Sequence, residues 1–72
     1  MPVTVEDLER WFTYHAPTPE QIDKYSAIRN TARSLAHVIF DECPDNADRT
    51  AAIRKLREAV MTANASIACA KG

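Results

Sequence analysis

The sequence predicts an all-α protein, a short N-terminal helix followed by a long antiparallel two-helix hairpin, assembled as a homo-oligomer. Three observations predict it. The chain has one glycine in 72 residues, and that glycine is the last, Gly72. Helix-opening signatures stand at Thr4 and Thr18. After each of them the apolar residues recur at helical spacing, three and four apart, rather than alternating as in a strand.

The first helix is expected over about residues 4–12. Thr4 supplies the cap, and the acids that follow complement the positive end of the helix dipole. Leu8, Trp11 and Phe12 give this helix one apolar face, and Pro17 and Pro19 stop it, leaving a loop over 13–17. The second helix, about 18–43, opens on Thr18-Pro19-Glu20-Gln21. That is an N-cap, a proline at the first helical position and a glutamine three after the cap. No breaker follows until Pro44, which disfavours helical geometry at the residue before it. A turn over 43–46 leads to a third helix over about 46–70, capped by Asp45 or Asn46. Helices of this length make a hairpin roughly 37 Å long at about 1.5 Å per residue. Residues 1–72 read as one domain, without repeat or low-complexity linker.

Placing residues at about 100° per step sorts the faces. On the second helix Ile22, Tyr25, Ile28, Ala32, Leu35, Ala36, Ile39 and Phe40 form one stripe. On the third, Ile53, Leu56, Val60, Ala63 and Ile67 form another, and the two stripes are expected to face each other. Two helices cannot enclose a core, and the first is too short to cover the seam. The stretch AVMTANASIACA, from Ala59 to Ala70, carries no charge and is apolar beyond its main stripe. A helix apolar all round is normally buried all round. Copies of the chain are therefore expected to bury one another. Cys43 and Cys69 lie at opposite ends of the hairpin, too far apart to bond, and are expected to be small buried residues.

Composition narrows the function. Nine basic residues against ten acidic ones leave no charge excess for a polymeric nucleic acid, whose binding rests on neutralising many phosphates. A small anion with two or three phosphates needs only one or two cations. The two histidines and two cysteines lack the close spacing of metal ligands, no glycine loop can cradle a phosphate, and no cofactor motif is present. No apolar run is long enough to span a membrane, and no leader-like segment opens the chain, so a reducing cytoplasm is the expected compartment. The acids are scattered over exposed faces with no nucleophile–base grouping, so no enzyme is expected.

A few residues break the pattern. Arg29 falls within the apolar arc of the second helix, where a charge is costly unless paired. Either its stem packs while its tip reaches water or an acid such as Glu58, or its guanidinium grips a phosphate. Tyr14 can stack on a nucleobase, since every base has a π face, and His15 can donate to a phosphate or base edge. Equally, the segment Phe12–His15, with Trp11 as anchor, can lid the open end of the hairpin. Trp11 and Phe12 read better as packing residues. Arg33, His37 and Asp41 step away from Arg29 toward solvent as a charged edge. Asn64, at the margin of the third-helix stripe, either fixes register or reads a ligand.

The segments FTYHAPTPEQIDKYSAIRNTARSLAHVIF and CPDNADRTAAIRKLREAVMTANASIA together resemble a phage family of helical-hairpin sponges that antagonise CBASS, an immune system signalling through cyclic oligonucleotides. A related hairpin occurs in sponges that antagonise Thoeris. The resemblance covers nearly the whole chain after Glu9, through F-T-Y-H, P-x-P-E-Q, Y-x-x-I-R and A-V-M-x-A-N-A-x-I-A. It implies a compact homo-oligomer, typically a hexamer, in the cytoplasm of an infected bacterial host. Such a hexamer holds cyclic dinucleotides such as 3′,3′-cGAMP between protomers without cleaving them. The tyrosine that stacks on the nucleotide corresponds to Tyr14, and the basic phosphate-holding residue to Arg29. Thr13, His15 and Asn64 complete the expected ligand-binding set. A second site for cyclic trinucleotides, known in some members, would use Thr31 and Lys71. Here Lys71 is only the nearest cation to the family's C-terminal arginine, and Thr62 stands where a tryptophan is common. From the residues alone, the competing reading is a small helical adaptor that binds a protein partner through its hairpin.

Overall fold

The computed structural model describes residues 2–70. It contains three helices: α1 (Val5–Phe12), α2 (Pro19–Glu42) and α3 (Ala47–Ala68). The all-α expectation holds among the described residues. None of these helices is long and apolar enough to cross a membrane.

Each helix begins where its polar side chains satisfy the first free amides. At α1 the Asp7 amide donates to Thr4 Oγ1 (3.1 Å), and Asp7 Oδ2 accepts from the Thr4 amide (3.0 Å). The same reciprocal pair recurs at α2. There the Gln21 amide donates to Thr18 Oγ1 (3.2 Å), and the Thr18 amide donates to Gln21 Oε1 (3.0 Å). Pro19 occupies the first helical position, where its missing amide costs nothing. At α3 Asn46, not Asp45, is the cap, its Oδ1 accepting from the Arg49 amide at 3.0 Å. Cys43 closes α2, its amide bonded to the Ile39 carbonyl, and the chain is already extended there, as the following Pro44 requires.

α2 and α3 form the expected hairpin, and α1 folds back over its open end. Trp11 shares a shallow hollow with Thr62, Ala65, Ser66 and Cys69 of the third-helix end. Cys69 Sγ donates to the Arg10 carbonyl (3.5 Å), and Gln21 Nε2 donates to the Ile67 carbonyl (3.3 Å). These contacts join the ends of all three helices.

Several expectations need correction. α3 ends at Ala68, two residues short of 70, with Cys69 as its cap. Ile22, Leu35 and Phe40, expected in the buried stripe, are each about half exposed. Two cylinders touch along a narrow line, so on α2 only Gln21, Tyr25, Ser26, Ile28, Ala32, Ala36 and Ile39 are partly covered. Phe12, expected to pack, is 83% exposed at the last turn of α1. Cys43 is exposed at the turn, and Cys69 is only half covered.

Among the described residues no side chain is fully buried. The radius of gyration is 15.3 Å, whereas a compact chain of this length would have about 11 Å. The molecule is a slab of 44 × 31 × 16 Å. Its accessible surface is 6055 Å², and a folded monomer of this mass would expose about 4,450 Å².

Candidate functional site

The seam between α2 and α3 is flanked by two grooves that share Ala32, Leu56 and Val60. They differ in chemistry. One, of about 290 Å³, carries Arg29 and Arg33 from α2 with Arg57 and Met61 from α3, over a floor of Ala32, Ala36, Ile53, Leu56 and Val60. The other is lined by small and apolar residues, including Ala27, Ala59 and Ala63, with Thr31 at its margin.

The arginines converge because of helix geometry. Arg33 follows Arg29 by four residues and so sits one turn further along the same side. Ile53, Arg57 and Met61 form a row spaced by four on α3, facing the same groove. Asn64, seven residues after Arg57, falls on that side again. Toward the hairpin turn the groove continues past Arg33 into a stretch lined by His37, Phe40 and Asp41.

Arg29 does not pair with Glu58. It is exposed, and its Nη2 reaches Ser26 Oγ at 3.4 Å. The ion pairs among the described residues are Arg10–Asp7 (2.6 Å) and Arg49–Asp45 (3.0 Å), so Arg29, Arg33 and Arg57 have no carboxylate partner. An arginine at the edge of an apolar floor keeps its stem packed and its charged fork available.

The loop before α2 displays Tyr14 at 85% exposure, with nothing packed over its ring. Its neighbours are more committed. Thr13 Oγ1 donates to the Glu9 carbonyl, closing the last turn of α1. His15 Nε2 lies 2.7 Å from the Arg10 carbonyl. A carbonyl only accepts, so Nε2 carries the proton, and in a neutral ring Nδ1 is left as an acceptor. With Nε2 committed to that carbonyl, His15 offers Nδ1 as an acceptor toward a base edge.

Tyr14 is not among the residues lining the arginine groove. Arg29 lies about 15 Å along α2 from its start. Within one copy the two do not line a common groove. Thr31 belongs to the opposite groove. Asn64 is half covered, and its Oδ1 is buried without a hydrogen-bond partner. Lys71, the other second-site candidate, lies outside the described residues. Among those residues no cluster of His, Cys, Asp or Glu is positioned to hold a metal. Sequence reasoning set Arg33 aside as a solvated edge and passed over Arg57. The i, i+4 row from Ile53 to Met61 was the signal that places Arg57 on the groove.

A family model described as Acb2/Tad1, hairpin domain, matches residues 5–68. No curated protein and no solved structure matches the chain.

Proposed function

The chain belongs to the Acb2/Tad1 hairpin-domain family, and from that premise we propose that it is a phage immune-evasion sponge. It binds cyclic di- or oligonucleotide messengers such as 3′,3′-cGAMP in the cytoplasm of the infected bacterium. By holding them uncleaved it keeps them from CBASS-type effectors. The observation that carries this reading is the family match across nearly the whole chain. The geometry supports it with a free aromatic ring at Tyr14 and an arginine groove without counter-charge.

The ligand is held between copies, with Tyr14 of one stacking on a base and Arg29 of another holding a phosphate. The absence of Tyr14 from the lining of the Arg29 groove supports that division. A homo-oligomer, in this reading a hexamer, also accounts for the surface. The excess over a folded monomer is roughly 1,600 Å² per chain, about two sides of a standard interface at about 800 Å² each. One dimer contact would cover only half of it.

Purified protein should be incubated with 3′,3′-cGAMP, washed, heat-denatured and assayed for released nucleotide. Recovery of intact nucleotide in stoichiometric amount is expected. Degraded nucleotide would show an enzyme. Failure to capture any of a panel of cyclic di- and trinucleotides would favour the adaptor reading, in which the hairpin contacts a protein partner. Tyr14→Ala and Arg29→Ala should each weaken capture at least tenfold while the oligomer persists by light scattering. Normal capture by both variants would refute the site.

A further inference from the structure

Side chains gather at the C-terminal end of α1, where the last four carbonyls have no partner within their own helix. The chain leaves that helix extended at Thr13, with φ −100° and ψ 138°. The Thr13 hydroxyl donates to the Glu9 carbonyl, and His15 Nε2 donates to the Arg10 carbonyl at 2.7 Å. A carbonyl oxygen can accept two hydrogen bonds. The second donor to Arg10 is Cys69 Sγ at 3.5 Å, 59 positions away at the end of α3. One oxygen thus joins the first helix, the loop after it and the end of the third. Trp11, next to that carbonyl, sits in the same hollow as Cys69.

These anchors bear on where Tyr14 points. Successive side chains of an extended chain face opposite ways. Thr13 and His15 are both tied back onto α1, so the residue between them is turned outward, and the Tyr14 ring is exposed. A ring on a slack loop must be ordered when a ligand binds, whereas a ring held between two tethered neighbours is ordered beforehand. We propose that Cys69 and His15 are positioning residues for Tyr14. Their shared bond to the Arg10 carbonyl holds the loop in the form that stacks on a base. Cys69 acts through that carbonyl and the loop, not by contact with the nucleotide. The inference rests on the sponge reading and adds to its stacking site a residue from the far end of the chain.

The test is a double-mutant cycle read by calorimetric titration of the full-length protein with 3′,3′-cGAMP, below the melting temperature of every variant. Cys69→Ala, which removes the donor, should weaken binding about fivefold, the scale of ordering one side chain and its loop. Cys69→Ser restores a donor and should recover most of the loss. In a Tyr14→Ala background, Cys69→Ala should change the remaining affinity by less than twofold, because the ring it positions is gone. If Cys69→Ala fails to fold, His15→Ala, at an exposed position, removes the other donor and runs the same cycle. Binding by the donor-less variant within twofold of the unsubstituted protein, with Tyr14→Ala still impaired, overturns the positioning role and leaves the sponge reading standing. An equal loss with and without the Tyr14 ring, or a serine variant as weak as the alanine one, also overturns it. If the unsubstituted protein binds no cyclic nucleotide, or Tyr14→Ala binds as well as it does, the inference falls with its premise.

Discussion

Arg49 illustrates how much one side chain does where none of the described residues is fully buried. It is the best covered of the charged residues paired in the structure, 16% exposed. Its Nη2 pairs with Asp45 at 3.0 Å, and its Nη1 donates to the Phe40 carbonyl at 3.1 Å. The guanidinium also lies 4.3 Å from the centre of the Phe40 ring. The Phe40 carbonyl is one of the last four of α2, which have no partner within their own helix. Arg49 thus ties the end of α2 to the start of α3. Arg49→Ala should cost about 2 kcal/mol, from the loss of a charged hydrogen bond and a cation–π contact. Thermal unfolding followed by circular dichroism checks this; Arg49→Lys, lacking the planar fork, should recover only part. This clamp was not legible in the sequence, because it depends on which carbonyl the turn leaves open. The exposure of Tyr14 was only half legible, because its loop position fitted a free stacking ring and a lid over the hairpin equally well.

At the scale of the helix, the openings were the most readable features. Thr18 and Gln21 carry their signature in local spacing, and the structure shows both reciprocal bonds. The further bond from Gln21 Nε2 to the Ile67 carbonyl was invisible, because it joins residues 46 positions apart. The two roles of Gln21 can be separated. Gln21→Glu keeps an acceptor for the Thr18 amide but removes the donor to Ile67. It also sets a carboxylate beside the negative end of the α3 dipole. The variant should be destabilised by about 1 kcal/mol. Thr18→Ala, which removes only the cap, should cost a similar amount. Combined, the two changes share one network and should fall short of additive, a result that melting curves of the four proteins can test. The third helix was read too long because Ala-rich sequence gives no stop signal. Its end is set instead where Cys69 meets the Arg10 carbonyl of α1.

For the whole molecule, the sequence carried the architecture but not the width of the seam. The apolar stripe on α2 is broader than a two-helix contact can cover, which is why Leu35 and Phe40 remain exposed. On the proposed assembly that surplus would be covered by neighbouring copies, and apolar residues carry no address for which copy covers which. The small-residue groove around Ala27, Ala59 and Ala63 suits a closely approaching helix. Ala59→Glu, at an exposed position, should reduce the mass seen by light scattering. In the unsubstituted protein the melting temperature should rise with protein concentration, as mass action requires when folding includes association. A melting temperature constant over a hundredfold dilution would mean the single copy is self-sufficient.

Among the described residues no side chain is fully buried by the single copy, so if the proposed assembly completes the core, folding and assembly become one reaction, with an order in chain concentration above one. The amount of working sponge would then climb more steeply than the number of chains translated. At low expression almost none exists, and past a threshold nearly every new chain is captured into a finished particle. On the sponge reading proposed above, a messenger would meet a sink that switches on abruptly, with a timing set by the translation rate.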